Sequence, residues 1–154
     1  MPARRPLALA LTGAALLSLT GCQKPTPGVT LASDGRSVHT EANAYCRGGR
    51  FLTRENDCPG STDKITVLRV TPEARVSVDV DSDLADSGWY LYDEDAQRSY
   101  AVHDDHYTSF IADFTNRPLP GVIRLQIRQV DHVPHNPSDL PKITGLWKLQ
   151  LVQQ

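Results

Sequence analysis

Val122-Ile123-Arg124-Leu125-Gln126-Ile127-Arg128-Gln129-Val130 decides the fold. Successive side chains of an extended chain point to opposite faces, so Ile123, Leu125 and Ile127 share one side and Arg124, Gln126 and Arg128 the other. A helix would scatter these two sets around its circumference. Trp147, Leu149 and Leu151 repeat the pattern against Lys148 and Gln150, and Val76, Val78 and Val80 repeat it against Ser77, Asp79 and Asp81. An apolar inner face with a wet outer face is the signature of antiparallel sheet. Working outward, nine strand-like runs separated by turn residues fall at 29–32, 37–46, 65–70, 75–81, 89–93, 99–103, 107–114, 122–130 and 145–152. The spacing predicts a sandwich or barrel. No amphipathic helix of ordinary length occurs; residues 82–87 offer at most one short turn.

The N-terminus follows different rules. Arg4 and Arg5 precede an apolar run, 7–19, of 13 residues, which is shorter than the roughly 20 needed to span a bilayer. Gln23, Lys24 and Pro25 end it abruptly. Leu19-Thr20-Gly21-Cys22 resembles the bacterial lipobox, in which the cysteine thiol is acylated before cleavage in front of it. That resemblance implies a signal peptide at 1–21, an acylated tether at 22–28 with Cys22 as the lipidated residue, and one domain at 29–154. Two or three acyl chains, at about 0.8 kcal/mol per buried methylene, hold a protein on a membrane where one chain does so marginally. The arginine pair leaves open export by the general or the twin-arginine route, and an ordinary cleaved signal with an incidental cysteine is the plainer alternative.

Removing 1–21 takes two of the 16 basic residues and none of the 18 acidic ones, so the net charge falls from −2 to −4. With a sequence pI near 6.2 and no basic stripe, nucleic acid is a poor partner. The 132 residues left suffice for one domain with a real core. Of three cysteines, Cys22 is assigned to lipid, which leaves Cys46 and Cys58 to form a structural disulfide in an oxidising compartment. Their spacing fits neither a C-x-x-C redox pair nor a four-ligand zinc site. The polar, glycine-containing residues between them read as a surface excursion.

Taken together, the lipobox and proline-bearing tether, Ser37-Val38-His39-Thr40-Glu41, the Cys46 and Cys58 pair, Val76-Ser77-Val78 leading to Gly88-Trp89, and Leu146-Trp147-Lys148-Leu149 resemble a group of small actinobacterial envelope lipoproteins. That group has no assigned activity, so the resemblance implies an envelope location and one β domain and supplies no catalytic residues. Trp89, following a strand and a turn, is also similar to the central tryptophan of immunoglobulin-like sandwiches. Both cysteines precede Trp89, so the disulfide differs from the inter-sheet bridge of that fold.

Residues 79–105 hold nine carboxylates against one base, Arg98. Asp79, Asp81 and Asp83 have the alternate spacing that begins a calcium loop, but Leu84 stands where a glycine must turn and Tyr90 where a bidentate glutamate is needed. A solvated strand end is the stronger reading. His103 with His106, and His132 with His135, form two equally spaced pairs of imidazoles, the common ligands of zinc and copper. On a strand, His103 and His106 would face opposite ways; Pro134 and Pro137 make the second pair a loop. Surface histidines are the expectation, with a metal site using His103, His106, His132 and His135 as the alternative. His39 reads as a partly exposed strand residue. Ser61-Thr62-Asp63-Lys64 matches S-x-x-K of penicillin-binding enzymes, but it leads into a β run and lacks K-T-G and S-D-N partners. No G-x-S-x-G or phosphate loop occurs, and carboxylates this numerous make a glycosidase pair uninformative.

The sequence therefore predicts an all-β, immunoglobulin-like antiparallel sandwich held by lipid on the extracytoplasmic side of the cell membrane. Its expected role is noncatalytic binding or structure without a cofactor, presenting loops or an outer sheet face, with tyrosines such as Tyr90, Tyr92, Tyr100 and Tyr107, to an envelope protein or glycan. Metal handling is the second reading and hydrolysis the third.

Overall fold

The computed structural model describes residues 24–154 apart from 55, 56, 59, 60, 116 and 137; the signal stretch, Cys22 and Gln23 lie outside the described residues. In chain order the elements are β1 (Gly28–Ser33), β2 (Arg36–Glu41), β3 (Ala44–Tyr45), β4 (Thr66–Val70), β5 (Arg75–Val80), α1 (Ser82–Ser87), β6 (Trp89–Asp93), β7 (Arg98–Ser99), β8 (Tyr107–Ile111), β9 (Val122–Val130) and β10 (Ile143–Gln153). The chain is all-β. The smaller sheet runs β2-β1-β5-β8, and the larger runs β3-β10-β9-β6-β7, with β4 also pairing β10. Every element follows residue 27, so the chain from Gln23 onward carries the whole described fold.

The two sheets close on one core because alternation supplies each with a single apolar face. Val29, Leu31, Val76, Val78 and Val80 come from the smaller sheet and Leu68, Leu91, Ile123, Leu125, Ile127, Leu149 and Leu151 from the larger. Trp89 and Trp147, both 0 % exposed, are the largest side chains in it. Each buried indole finds an acceptor, Trp89 Nε1 donating to Asp105 O at 2.8 Å and Trp147 Nε1 to Pro27 O at 3.1 Å. Gly145 is required beside Trp147, since a Cβ there would stand 2.7 Å from the indole ring.

The strand at 122–130 and the helical turn at 82–87 have the predicted bounds. Gly88 ends that turn at φ 92°, in the left-handed region that favours glycine, and its N–H donates to Leu84 O at 2.9 Å. The run at 37–46 is corrected: it breaks at Ala42 and Asn43, where the chain leaves the smaller sheet as β2 and joins the larger as β3. A uniformly antiparallel arrangement is corrected too. β3 pairs antiparallel with β10 at Leu146 and Gly145, the disulfide excursion reverses the chain, and β4 returns along the same edge of β10 in parallel, with Thr66 opposite Leu149.

The segment ahead of β1 lies against the domain instead of standing off as a free spacer. Lys24 Nζ pairs with Asp83 at 2.6 Å, Arg47 donates to the Lys24 carbonyl, and Pro27 O receives the Trp147 indole.

Candidate functional site: the outer face of the larger sheet

Since Trp89 and Leu91 point into the core, Tyr90 and Tyr92 of β6 point out, opposite Arg128 and Gln126 of β9. The Arg128 guanidinium lies over the Tyr92 ring with its carbon 3.9 Å from the centroid, a cation–π contact. Its Nε donates to Gln126 Oε1 at 2.7 Å, and Gln126 Nε2 in turn donates to Glu94. This chain of contacts fixes an otherwise flexible arginine in one pose beside two half-exposed tyrosines.

The disulfide excursion walls one side of this face. Cys46 and Cys58 are bonded, their Cα atoms 5.2 Å apart and both side chains buried. Beyond Cys46, Leu52 N donates to Ile143 O at 2.7 Å, which ties the excursion to β10. The Asp57 carboxylate accepts from the Thr53 and Arg54 N–H groups at 2.8 and 2.5 Å, so its pKa is held below the ordinary range, chiefly by the Thr53 hydroxyl and then by these amides. The result is a shallow cleft of about 190 Å³ between Leu52, Thr53 and Arg54 on one side and Gln126, Arg128 and Leu146 on the other. The outer face is therefore not uniformly wet: Gln126 is 6 % and Leu146 5 % exposed. Asn43 closes the excursion from below, with Nδ2 donating to Thr62 O and Lys64 O at 2.9 and 2.5 Å and Oδ1 accepting from Lys148 N at 2.6 Å.

The remaining predicted residues are dispersed. Tyr100 turns inward against Phe110, ring centroids 6.5 Å apart, and Tyr107 is exposed on the smaller sheet. The acidic stretch does not form one patch, because β6 carries it from one end of the sandwich to the other. At one end Asp81 accepts from Gly28 N at 2.6 Å and Asp83 pairs with Lys24, which engages two of the three carboxylates of the calcium-like run. At the other, Asp95 bridges Arg117 Nη1 at 2.6 Å and Arg124 Nη1 at 2.7 Å, and Asp93 caps the turn by accepting from Asp95 N and Ala96 N. Burial alone would raise the Asp95 pKa, but the Arg124 amide and the two guanidiniums outweigh it and hold the carboxyl below its ordinary value. Ser61 lies in irregular chain and donates its hydroxyl to Cys58 O at 2.7 Å.

The imidazoles of His39, His103, His106 and His132 each have a separate partner. His103 lies against the Trp89 ring at 5.0 Å, His106 Nδ1 meets Val80 O at 3.1 Å, and exposed His39 meets Thr30 Oγ1 at 3.1 Å. His132 sits between two carboxylates, Nδ1 at 2.8 Å from Asp131 and Nε2 at 2.8 Å from Asp139, while the His135 main-chain N–H donates to Asp139 at 3.2 Å. Among the described residues no group of three or more His, Cys, Asp or Glu is placed to hold a metal ion.

The His132 arrangement predicts a pH response. The Asp139 bond, with the charges of Asp139 and Asp131, raises the His132 pKa above the ordinary 6.5 and lowers that of Asp139. A raised histidine contributes stability that is fully present below the unfolded pKa and is lost as pH rises through the folded one. The loop from Asp131 to Lys142 should therefore loosen on the alkaline side of 6.5 while the sheets stay intact. A proton NMR titration of the His132 ring reads this directly: a midpoint above 6.5, falling back in Asp139→Asn, is expected, and an equal midpoint in both proteins refutes it.

Residues 22–133 match the model of a family described as a protein of unknown function, DUF2771. No curated protein and no solved structure matches the chain.

Proposed function

The chain belongs to the DUF2771 family of unknown function, and on that premise we propose that it is a lipid-anchored envelope protein of the actinobacterial kind, attached through Cys22 on the extracytoplasmic side of the membrane. Its domain is an immunoglobulin-like sandwich that acts by binding, without catalysis, and the outer face of the larger sheet is the surface it presents to an envelope protein or glycan.

The observation that carries this reading is the Tyr90, Tyr92 and Arg128 face beside the disulfide-pinned excursion. Tyrosine and arginine recur where partners are gripped, because each offers large contact area with a polar tip, and here both are already held in place. The anchor reading rests on Leu19-Thr20-Gly21-Cys22 and gains a geometric consequence from the docked segment: Lys24 is two residues from Cys22, so the Asp81 and Asp83 end of the sandwich would lie near the lipid. The opposite end, with the Asp34-Gly35 turn and Leu119 at 82 % exposure, would point away.

Detergent phase partition of the expressed protein tests the anchor. Wild type should enter the detergent phase and Cys22→Ala should stay in the aqueous phase; equal partition of both refutes lipidation. The soluble Cys22→Ala protein then tests the face: isolated envelope should retain it, and Tyr92→Ala with Arg128→Ala should abolish retention without changing its circular dichroism. Retention unaffected by the double variant removes this face from the proposal.

A further inference from the structure

β8 forms one edge of the smaller sheet, and its main chain shows which groups are offered outward. Val80 N donates to His106 O and Ala112 N to Ala74 O, at 2.8 and 2.9 Å, while Thr108 pairs with Val78 and Phe110 with Val76. Residues 106, 108, 110 and 112 therefore turn their polar groups toward β5, and Tyr107, Ser109 and Ile111 aim N–H and C=O off the sheet.

Other edges carry the usual protections. β2 exposes Arg36, His39 and Glu41, β3 and β7 are two residues long, and β4 lies against β2. Tyr107-Thr108-Ser109-Phe110-Ile111 has no charge, no proline and no bulge, and its outward side chains Tyr107 and Ile111 are 55 and 48 % exposed.

We propose that β8 is a homotypic docking edge: two copies of this chain pair antiparallel about a two-fold axis at Ser109, joining two four-stranded sheets into one. The choice of a second copy follows from self-complementarity. With Ser109 opposite Ser109, Tyr107 of each copy faces Ile111 of the other, an aromatic on a β-branched residue, and all three pairs exchange both main-chain hydrogen bonds. Ser37, Ala32, Ser77 and Ser109 form one row across the outer face, so no bulky side chain from that row blocks the axis. Two like-charge contacts set the strength. Arg75 Nη1 donates to Ser109 Oγ at 3.0 Å, which brings a guanidinium toward the axis from each copy, and beyond the strand Asp105 comes opposite Asp113, which limits the ladder to β8. A five-residue edge buries less than the roughly 1,200 Å² of a stable interface, so the dimer is weak and reversible. Salt strengthens it, because the screening length shrinks from about 30 Å at 0.01 M to about 8 Å at 0.15 M.

The chain from Gln23 onward is examined by sedimentation and amide NMR from tens of micromolar to about 1 mM, at both salt levels. The expected result is a monomer–dimer equilibrium favoured by salt, with the Tyr107, Ser109 and Ile111 amides gaining exchange protection with concentration and those of Thr108 and Phe110 unchanged. Arg75→Gln should tighten it at least about threefold at low salt by removing the paired charge. Ser109→Lys, which places two ammonium groups on the axis at an outward position, should abolish it. A monomer throughout for both wild type and Arg75→Gln overturns the proposal, as does a dimer that survives Ser109→Lys.

Discussion

Replacing Trp147 with alanine should destabilise the fold by about 3–5 kcal/mol, the range for removing a buried aromatic and leaving its cavity. The indole is 0 % exposed, meets the Tyr45 ring edge-on at 6.4 Å, and lies over Gly145 with no room for a Cβ between them. Because β10 pairs with β9 on one side and with β3 and β4 on the other, the cavity would open in the strand that unites the larger sheet. Against a typical domain stability of about 5–15 kcal/mol, this is at least about a fifth of the total. Urea unfolding followed by far-UV circular dichroism measures the loss.

Trp147→Phe separates packing from hydrogen bonding. It keeps much of the ring volume and removes the bond to Pro27 O, which is worth about 0.5–1.5 kcal/mol net. Its distinctive effect should be local, with the Gly28 amide, which donates to Asp81, exchanging faster because the segment ahead of β1 loses one of its attachments. A Phe variant with the same exchange pattern as wild type would show that Lys24 and Arg47 hold the segment without the indole. The docked segment was not legible in the sequence. Two prolines beside a lipobox read as a spacer, and the acceptor at Pro27 is a main-chain carbonyl, invisible to any side-chain pattern.

What alternation could deliver, it delivered. β9 was read residue for residue, as were the inward valines of β5 and the apolar face of β10, because period two needs only the chain itself. Alternation says nothing about partners. β4 has an ordinary strand pattern whether its neighbour runs parallel or antiparallel, and the break at Ala42 and Asn43 carries no glycine or proline to mark it. The outer face was misread at Gln126 for a related reason, since the disulfide excursion lies beside it across the cleft, a long-range contact. The histidine pairs and the acidic stretch show the converse: nearness along the chain did not become nearness to one centre. The Tyr92 and Arg128 contact was half legible, in that both positions were placed outside, but the register that brings them together belongs to the pairing of β6 with β9.

Asn43→Ala should cost about 2–4 kcal/mol, more than most polar substitutions, because it strands three main-chain groups at once. Asn43 is 3 % exposed, and its amide is bonded to both Thr62 O and Lys64 O while also receiving Lys148 N. It thereby joins β10 to the return of the excursion, at the point where the chain reverses to make β4 parallel. Leaving a buried donor or acceptor unsatisfied costs about 1–3 kcal/mol each, and water entering from the excursion side recovers part of the sum. Asn43→Asp sharpens the test. A carboxylate keeps the acceptor for Lys148 N but faces two carbonyl oxygens, which favours its protonated form and raises its folded pKa above the unfolded value of about 3.9. A carboxyl raised in this way binds more protons folded than unfolded, so its stability falls as pH rises between those two values and recovers as pH is lowered through them. Denaturant titrations at neutral pH and near pH 4 should therefore show the Asp variant gaining on the Ala variant in acid, where its single O–H can donate to Thr62 O or Lys64 O. Parallel pH curves for the two variants would mean that the Asn43 amide donates nothing of consequence, and that the disulfide and the Leu52 bond to Ile143 O hold the excursion over the Tyr92 and Arg128 face without it.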